Sequence, residues 1–185
     1  MSLNFKVTDI VDRLHVIPST HMGDGTILDA VRDALLQEPG LQNCTIRVKR
    51  AGTWETVRNA TVTPHGVIHL SVTDGVVLLE DHVTSLIQKR LASVLAWWVP
   101  GIRDVINGME VVPLQEDSDD EIAKAVRLVL EKDRFVNAER IRVTVKQAVV
   151  TLEGDATSAP QEEMAELDAW YVFGVDKVDN RLAGS

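Results

Sequence analysis

The chain is poor in several residue types, and each shortage excludes a class of protein. Its 185 residues include a single cysteine, Cys44, so no disulfide forms within the chain and no cysteine-based metal cage is available. Lysine and arginine number 19 against 28 aspartates and glutamates, and the net charge of −9 argues against nucleic-acid binding. No apolar run approaches the roughly 20 residues of a transmembrane helix, so no transmembrane segment is expected.

The motifs that carry catalysis are missing as well. The sequence contains no P-loop, no nucleophile elbow and no Rossmann glycine pattern. The five histidines are scattered, and His65 meets His69 only if a turn joins them, so no metal site is expected. Cys44 is interpreted as a buried small residue, and acidic pairs as solvated helix positions. We therefore expect no catalytic residues, no cofactor and no enzyme activity.

One block of the sequence occurs twice. Residues 69–109 align without a gap to residues 142–182 at a constant offset of 73, and 15 of the 41 paired positions are identical. A period of this length suits a small compact module rather than a solenoid repeat. The chain is therefore interpreted as two copies of one small domain.

The repeat continues upstream at a different offset. Residues 27–31 resemble residues 122–126, now 95 positions apart, so about 22 residues (95 minus 73) are inserted in the first copy, at about 50–68. Apolar and polar residues alternate within this insertion, which predicts an additional β-hairpin. The predicted organisation is an N-terminal extension (1–23), a first module (24–113) and a second module (118–185).

Local signals predict the first elements of each copy. Ser118 and Glu121 have capping-box spacing, which predicts a helix from about Asp119 to about Lys132. The equivalent helix of the first copy is expected to open at Thr26 and Asp29 and to end near Gln37, because Pro39-Gly40 cannot continue it. A strand follows in each copy, at 46–48 and 141–145, and then a turn and a second strand.

The remaining elements also match between the copies. Ser85 and Ser158 each precede a glutamine by three residues, which predicts the start of a second helix. Gly101 and Gly174 are expected to end these helices, and a short strand follows. The predicted fold class is α+β: two αββαβ modules, each with two helices packed on one face of a three-stranded mixed sheet, the first with an inserted β-hairpin.

These residues resemble the BON domain, which is named for bacterial outer-membrane and nodulation proteins. The resemblance rests on three short patterns that recur in both copies: Val77-x-Leu79 and Val150-x-Leu152-x-Gly154, Gly101-Ile102 and Gly174-Val175, and Val105-x-Asn107 and Val178-x-Asn180-x-Leu182. Gly101, Asn107, Gly174 and Asn180 are thus positions of a structural motif. The chain departs from the pattern at Asp81 and Ala148, which stand where glycine is expected, and at the insertion.

The resemblance implies a non-catalytic, transport-associated binding module of the kind found in bacterial envelope and stress-response proteins, with phospholipid or a membrane surface as ligand. The alternative is a protein-interaction or self-assembly scaffold without lipid binding, whose partner includes a second copy of the chain. A hydrolase with an unrecognised site is a more distant third class. The sequence as it stands is expected to be cytoplasmic, and periplasmic if an export signal has been removed.

Aromatic pairs at the end of the second helix form the first candidate contact site, which consists of Trp97, Trp98, Trp170 and Tyr171. Adjacent helical residues point about 100° apart, so one member of each pair is expected in the core and the other near the surface. Surface aromatics suit either a lipid interface or a protein contact. We favour core and domain packing over lipid insertion.

Charged positions that change sign between the copies form the second candidate site. Lys89 and Arg90 correspond to Glu162 and Glu163 at the repeat offset. If the modules pack about a pseudo-two-fold axis, equivalent patches face each other and opposite charges attract. This exchange predicts charge pairing between the two modules or between two chains. Divergence of exposed positions without pairing is the alternative.

Overall fold

A computed structural model describes residues 22–115 and 117–184 of the chain, so residues 1–21 of the predicted N-terminal extension lie outside the described residues. Two modules follow one another. The first contains α1 (Asp24–Gln37), β1 (Cys44–Arg50), β2 (Thr53–Arg58), β3 (Gly66–Thr73), β4 (Val76–Val83), α2 (Leu86–Trp97), β5 (Asp104–Asn107) and β6 (Glu110–Val111). The second contains α3 (Asp119–Lys132), β7 (Ile141–Lys146), β8 (Val149–Ala156), α4 (Ala159–Tyr171) and β9 (Lys177–Gly184).

Both modules have the predicted mixed sheet. In the second, β8 pairs antiparallel with β7 and parallel with β9. In the first, β4 pairs antiparallel with β3 and parallel with β5, and β6 continues along β4 beyond β5. Two helices accompany each sheet, so the α+β fold with two αββαβ modules is confirmed.

The additional hairpin of the first module consists of β1 and β2, which widen the sheet to the order β2-β1-β3-β4-β5. It spans residues 44–58, earlier than the expected insertion at about 50–68. The strand expected at 46–48 as the counterpart of β7 belongs to this hairpin, and that equivalence is wrong. The counterpart of β7 is β3, because β3 is the strand that pairs antiparallel with β4 and precedes it in the chain.

The helix starts follow the local signals in three cases out of four, whereas α2 and α4 end at Trp97 and Tyr171, before Gly101 and Gly174, so the expectation that these glycines end the helices is wrong. Helix α3 has the predicted bounds, and the Ser118 hydroxyl accepts the Glu121 N–H at 3.3 Å. The Ser85 hydroxyl caps α2 in the same way, at 3.2 Å from the Gln88 nitrogen. Helix α4 begins directly after Ser158, although that hydroxyl makes no capping hydrogen bond. Helix α1 ends at Gln37 as predicted but begins at Asp24, two residues before the expected start.

The early start of α1 places Asp24 in the role that Asp119 has in the second module. In each module this carboxylate accepts backbone N–H groups of a hairpin turn. Asp24 accepts the N–H of Gly75 at 2.8 Å, and Asp119 accepts the N–H of Ala148 at 2.9 Å. The bonds from Ala148 and then Gln147 lower the pKa of Asp119. This contact holds the second turn in shape although Gln147 and Ala148, at φ 53° and 59°, occupy the left-handed region without glycine.

The motif asparagines tie the last strand to the second helix. Asn107 Nδ2 donates to the Lys89 carbonyl at 2.7 Å, and Asn180 Nδ2 donates to the Glu162 carbonyl at 3.3 Å. Each Oδ1 also accepts the backbone N–H two residues further on, at 3.3 and 3.1 Å. A side chain with both donor and acceptor atoms is needed for this bridge, which explains why asparagine occupies both positions.

The helices of the two modules pack against each other and the sheets lie outside them. Helices α1 and α2 cover one face of the first sheet, α3 and α4 cover one face of the second, and α2 packs on α3 and α4. Val94 of α2 is buried in the core of the second module. Each module therefore keeps its own core, and α2 contributes to both. The outer face of each sheet carries no helix within the described residues.

The two hairpin turns predict opposite effects of exchanging alanine and glycine. Gly75, at φ 74°, and Ala148, at φ 59°, are equivalent left-handed positions. We expect Gly75→Ala to lower the free energy of unfolding by about 1 kcal/mol and Ala148→Gly to raise it by up to about 1 kcal/mol. Urea unfolding followed by circular dichroism measures both changes. Shifts of the same sign in the two variants would contradict the assignment.

Candidate functional site: an inter-module seam and an outer groove

The surface where α2 meets the second module, which we call the seam, is anchored by a buried arginine. Arg90 is fully buried, with 0% of its surface exposed. Its Nε donates to the Phe173 carbonyl at 2.8 Å, and its Nη2 donates to both carboxylate oxygens of Asp117 at 2.5 and 2.7 Å. Charge-assisted bonds of this kind are among the strongest in proteins, so Arg90 fixes the linker residue Asp117 and the end of α4 against α2.

The charge pairing predicted from the repeat is not the pairing found within the chain. No ion pair joins Lys89 or Arg90 to Glu162 or Glu163 in the part of the chain that the structure describes. Arg90 is buried against Asp117, whereas Glu163 is exposed on α4. The expected intramolecular pairing is therefore corrected to Arg90 with Asp117, and pairing of these residues between two chains stays a prediction.

Lys89 lies beside Arg90 but makes a different contact. Its Nζ lies 4.4 Å from the centroid of the Phe173 ring, in the range of a cation–π interaction. Desolvation, followed by the charge of Arg90, lowers the pKa of Lys89, and the charges of Asp117 and Glu110 partly offset this shift. Both basic residues thus contact Phe173 of the second module, one through its ring and one through its carbonyl.

The four aromatic candidates are all partly buried. Trp97 stacks on Tyr171 with ring centroids 5.3 Å apart and planes 7° from parallel, so one pair joins the modules. Trp98 packs on both cores and donates its Nε1–H to Asp168 Oδ1 at 2.8 Å, while Trp170 packs on the second core. The role of these residues in lipid or external partner contact stays a prediction.

An ion pair closes the seam at the ends of the first helices. Glu38 follows α1, and Lys132 is the last residue of α3. Lys132 Nζ donates to Glu38 Oε1 at 3.0 Å, and only 8% of the Glu38 side chain is exposed. Together with Arg90 and Trp98, this pair gives the seam three polar contacts between the modules, all of them partly or fully removed from solvent.

The second candidate site lies on the outer face of the first sheet, along β4, β5 and β6. This open cleft, which we call the outer groove, has an apolar floor of Leu78, Ile106 and Val112 and an acidic rim of Glu80, Asp81 and Glu110. Ile106 is 51% exposed and Val112 49% exposed. Apolar side chains that are this exposed and lie next to one another form a surface that is available for contact with a ligand.

The equivalent face of the second module is polar, and its charged side chains form ion pairs with one another. Thr151 and Asp179 stand at the positions of Leu78 and Ile106. Arg181 lies beside them and pairs with Asp179 at 2.6 Å and with Glu153 at 3.8 Å. The two modules therefore share a fold but not an outer surface, and the first one carries the apolar groove.

The titratable groups near the outer groove include one carboxylate that lies between two histidines. Asp81 Oδ1 lies 2.6 Å from His82 Nδ1, and its Oδ2 lies 3.6 Å from His69 Nδ1. No cluster of three or more metal-ligating side chains occurs within the described ranges. Cys44 is fully buried, and burial raises the pKa of its thiol, as expected for a structural residue rather than a nucleophile.

Fold and surfaces together define a tandem α+β protein in which the outer sheet face of the first copy carries an exposed apolar groove. Comparison with protein families agrees, since the BON domain model matches twice, at residues 55–113 and 118–183. The chain belongs to the BON domain family, whose members are in general binding modules. A search of curated proteins finds no match to the chain. No helix within residues 22–115 and 117–184 is long and apolar enough to cross a membrane.

Sequence reasoning missed the partners of the seam residues. Asp117, which pairs with Arg90, lies in the linker 27 positions away. Asp168, which accepts the Trp98 N–H, carried one available signal, because its equivalent in the first copy is the apolar Leu95. An acid that replaces a leucine on the buried side of a repeated helix indicates a specific partner.

The seam predicts unequal effects of truncating two adjacent bases. Arg90→Ala leaves the Phe173 carbonyl without its donor and empties the space of a fully buried side chain, while the Asp117 carboxylate, 40% exposed, is hydrated instead, so we expect it to lower the free energy of unfolding by about 2 kcal/mol. Lys89→Ala removes a partly exposed cation–π contact and should cost less than about 1 kcal/mol. Urea denaturation of the full chain compares them, and equal losses would show that Arg90 does not anchor the seam.

Proposed function

We propose that the protein is a non-catalytic binding module that uses its outer groove as the ligand surface, and that the ligand is a zwitterionic phospholipid surface. The observation that carries this proposal is the apolar floor of the groove, which is open in the first module and replaced by paired polar residues in the second. The helix faces are used in docking the two modules, which leaves the sheet face for ligand contact.

The chemistry of the groove restricts the lipid. Ile106 and Val112 are half exposed, and Leu114, just beyond them in the chain, is 91% exposed. Side chains of this kind gain free energy when they enter the headgroup and acyl boundary of a bilayer. The rim carboxylates of Glu80 and Glu110 repel an anionic surface and attract the ammonium groups of zwitterionic headgroups. A ligand presenting apolar and cationic groups therefore fits, and an anionic one does not.

A protein partner is the second candidate function, and the same rim favours it. In a peptide segment flanked by lysine or arginine, apolar side chains match the floor of the groove and the basic residues match its acidic rim. Such a segment therefore fits the groove as well as a zwitterionic lipid does. Such a segment also has access to β5, which pairs with no strand other than β4 among residues 22–115 and 117–184. This candidate makes the protein an interaction scaffold without lipid binding.

Vesicle co-sedimentation of the full chain tests the proposal. We expect binding to phosphatidylcholine–phosphatidylethanolamine vesicles and weaker binding to phosphatidylglycerol vesicles. Ile106→Asp, which copies Asp179 of the second module, should weaken zwitterionic binding about tenfold or more, because burying such a side chain contributes roughly 2 kcal/mol.

The matched control is Phe135→Asp, which adds the same charge at an apolar side chain that is 61% exposed on the second module, away from the groove. This variant should bind as the unmodified chain does. Absence of binding to both kinds of vesicle would overturn the lipid proposal and favour the protein scaffold. Equal losses in the two variants would show that the groove is not the contact surface.

A further inference from the structure

A carboxyl group is buried at the seam with too few hydrogen-bond donors for an ionised acid. Asp168 of α4 has 0% of its surface exposed, and its Oδ1 accepts the indole N–H of Trp98 of α2 at 2.8 Å. Its Oδ2 is buried and receives no hydrogen bond from the described residues. An ionised carboxylate is costly in such a place, whereas a neutral carboxylic acid is not.

The groups that face Asp168 also oppose a negative charge there. From the end of α3, the nearby carboxylate of Asp133 opposes a negative charge on Asp168. Asp133 caps the C-terminus of α3, where the helix carbonyls already contribute partial negative charge. From α2 the facing group is the neutral indole of Trp98, and no cation within the described ranges offsets Asp133.

Burial is the main cause that raises the pKa of Asp168, to about 8. The hydrogen bond from Trp98 opposes this shift, and the neighbouring Asp133 adds to it. Asp168 is therefore a neutral acid at pH 7. The proton is expected on Oδ2, because Oδ1 accepts the indole N–H of Trp98 and Oδ2 is the buried oxygen without a partner.

We propose that docking of the two modules captures one proton on the buried carboxyl group of Asp168, beside Asp133 and against the Trp98 indole, so that acid tightens the seam and alkali loosens it. The contact is a regulatory element of the pair, distinct from the outer groove. Only one of the three side chains, Trp98, belongs to the first module, so separating the modules exposes Asp168 to water.

The direction of the pH dependence follows from the proton count. When the modules separate, Asp168 regains an ordinary carboxyl pKa near 3.8. Between about pH 4 and pH 8 the docked state holds a proton that the separated state has released. The ratio of docked to separated modules therefore falls about tenfold for each unit of rising pH in this range. Below and above the range the two states carry the same number of protons, and the ratio is constant.

The repeat shows that the helix does not need this acid in order to pack. Leu95 occupies the equivalent position of α2 and is buried, at 8% exposure. An apolar side chain, which has no ionisable group, thus packs at the equivalent position of the helix. The carboxyl group adds a dependence on pH that packing alone does not require.

Nuclear magnetic resonance of the full chain tests the proposal through the Trp98 indole N–H. We expect its shift to titrate with a midpoint near pH 8, and its protection from hydrogen exchange, corrected for the intrinsic rate, to fall about tenfold per pH unit between pH 5.5 and 7.5. Asp168→Asn keeps an acceptor for Trp98 but cannot ionise, so both dependences should disappear. Glu163→Gln, which removes an exposed carboxylate from the same helix, should retain both.

A second variant keeps the test independent of whether Asp168→Asn folds. Asp133→Asn removes the neighbouring charge, so the titration midpoint of the Trp98 signal should move below that of the unmodified chain. The proposal is overturned if the indole does not titrate between pH 6 and 9.5, or if Asp133→Asn leaves the midpoint unchanged. Equal loss of protection with pH in the unmodified chain and in Asp168→Asn would also overturn it.

Discussion

The packing of α2 against the second module is the constraint on which the rest of the structure depends. A module of 60–90 residues buries only a modest core, and α2 compensates by contributing to two cores at once. Val94 is buried in the second core, and Trp98 packs on both. Arg90, which is itself fully buried, joins the same helix to Asp117 and to the Phe173 carbonyl. The tandem arrangement is thus one packed unit rather than two separate domains on a linker.

This use of the helices decides which surfaces remain for a ligand. In each module the inner sheet face is covered by its own helices, and α2 is covered by α3 and α4. The outer sheet faces remain, and there the copies have diverged: Leu78 and Ile106 are matched by Thr151 and Asp179. Because Asp179 is neutralised by Arg181, the second face satisfies its own charges, whereas the first presents apolar side chains within an acidic rim.

The sequence predicted those parts of the fold that depend on local chemistry. Helix α3 has the predicted bounds because Ser118 caps it through a residue only three positions away. The expected role of the strand at 46–48 is wrong because β1 pairs in parallel with β3, from Cys44 with Gly66 to Val48 with Leu70, and no local pattern predicts a pairing across 22 positions. The partner of Arg90 could not be predicted for the same reason, since no local pattern joins it to Asp117. The outer groove combines β4, β5 and β6, so its floor and rim come together only in the folded sheet.

The residues that differ between the copies suit contact between unlike modules better than contact between like ones. In a pair of second modules, Glu163 would stand in the place of Arg90 and would meet Asp117 and the Phe173 carbonyl, which both repel a carboxylate. In a pair of first modules, Leu95 would replace Asp168 and leave the Trp98 N–H without its acceptor. A buried polar contact contributes little net stability, but its loss in a wrong pairing is costly. Duplicated modules with nearly the same fold can therefore be kept in one arrangement by a few polar residues that only the correct pair satisfies.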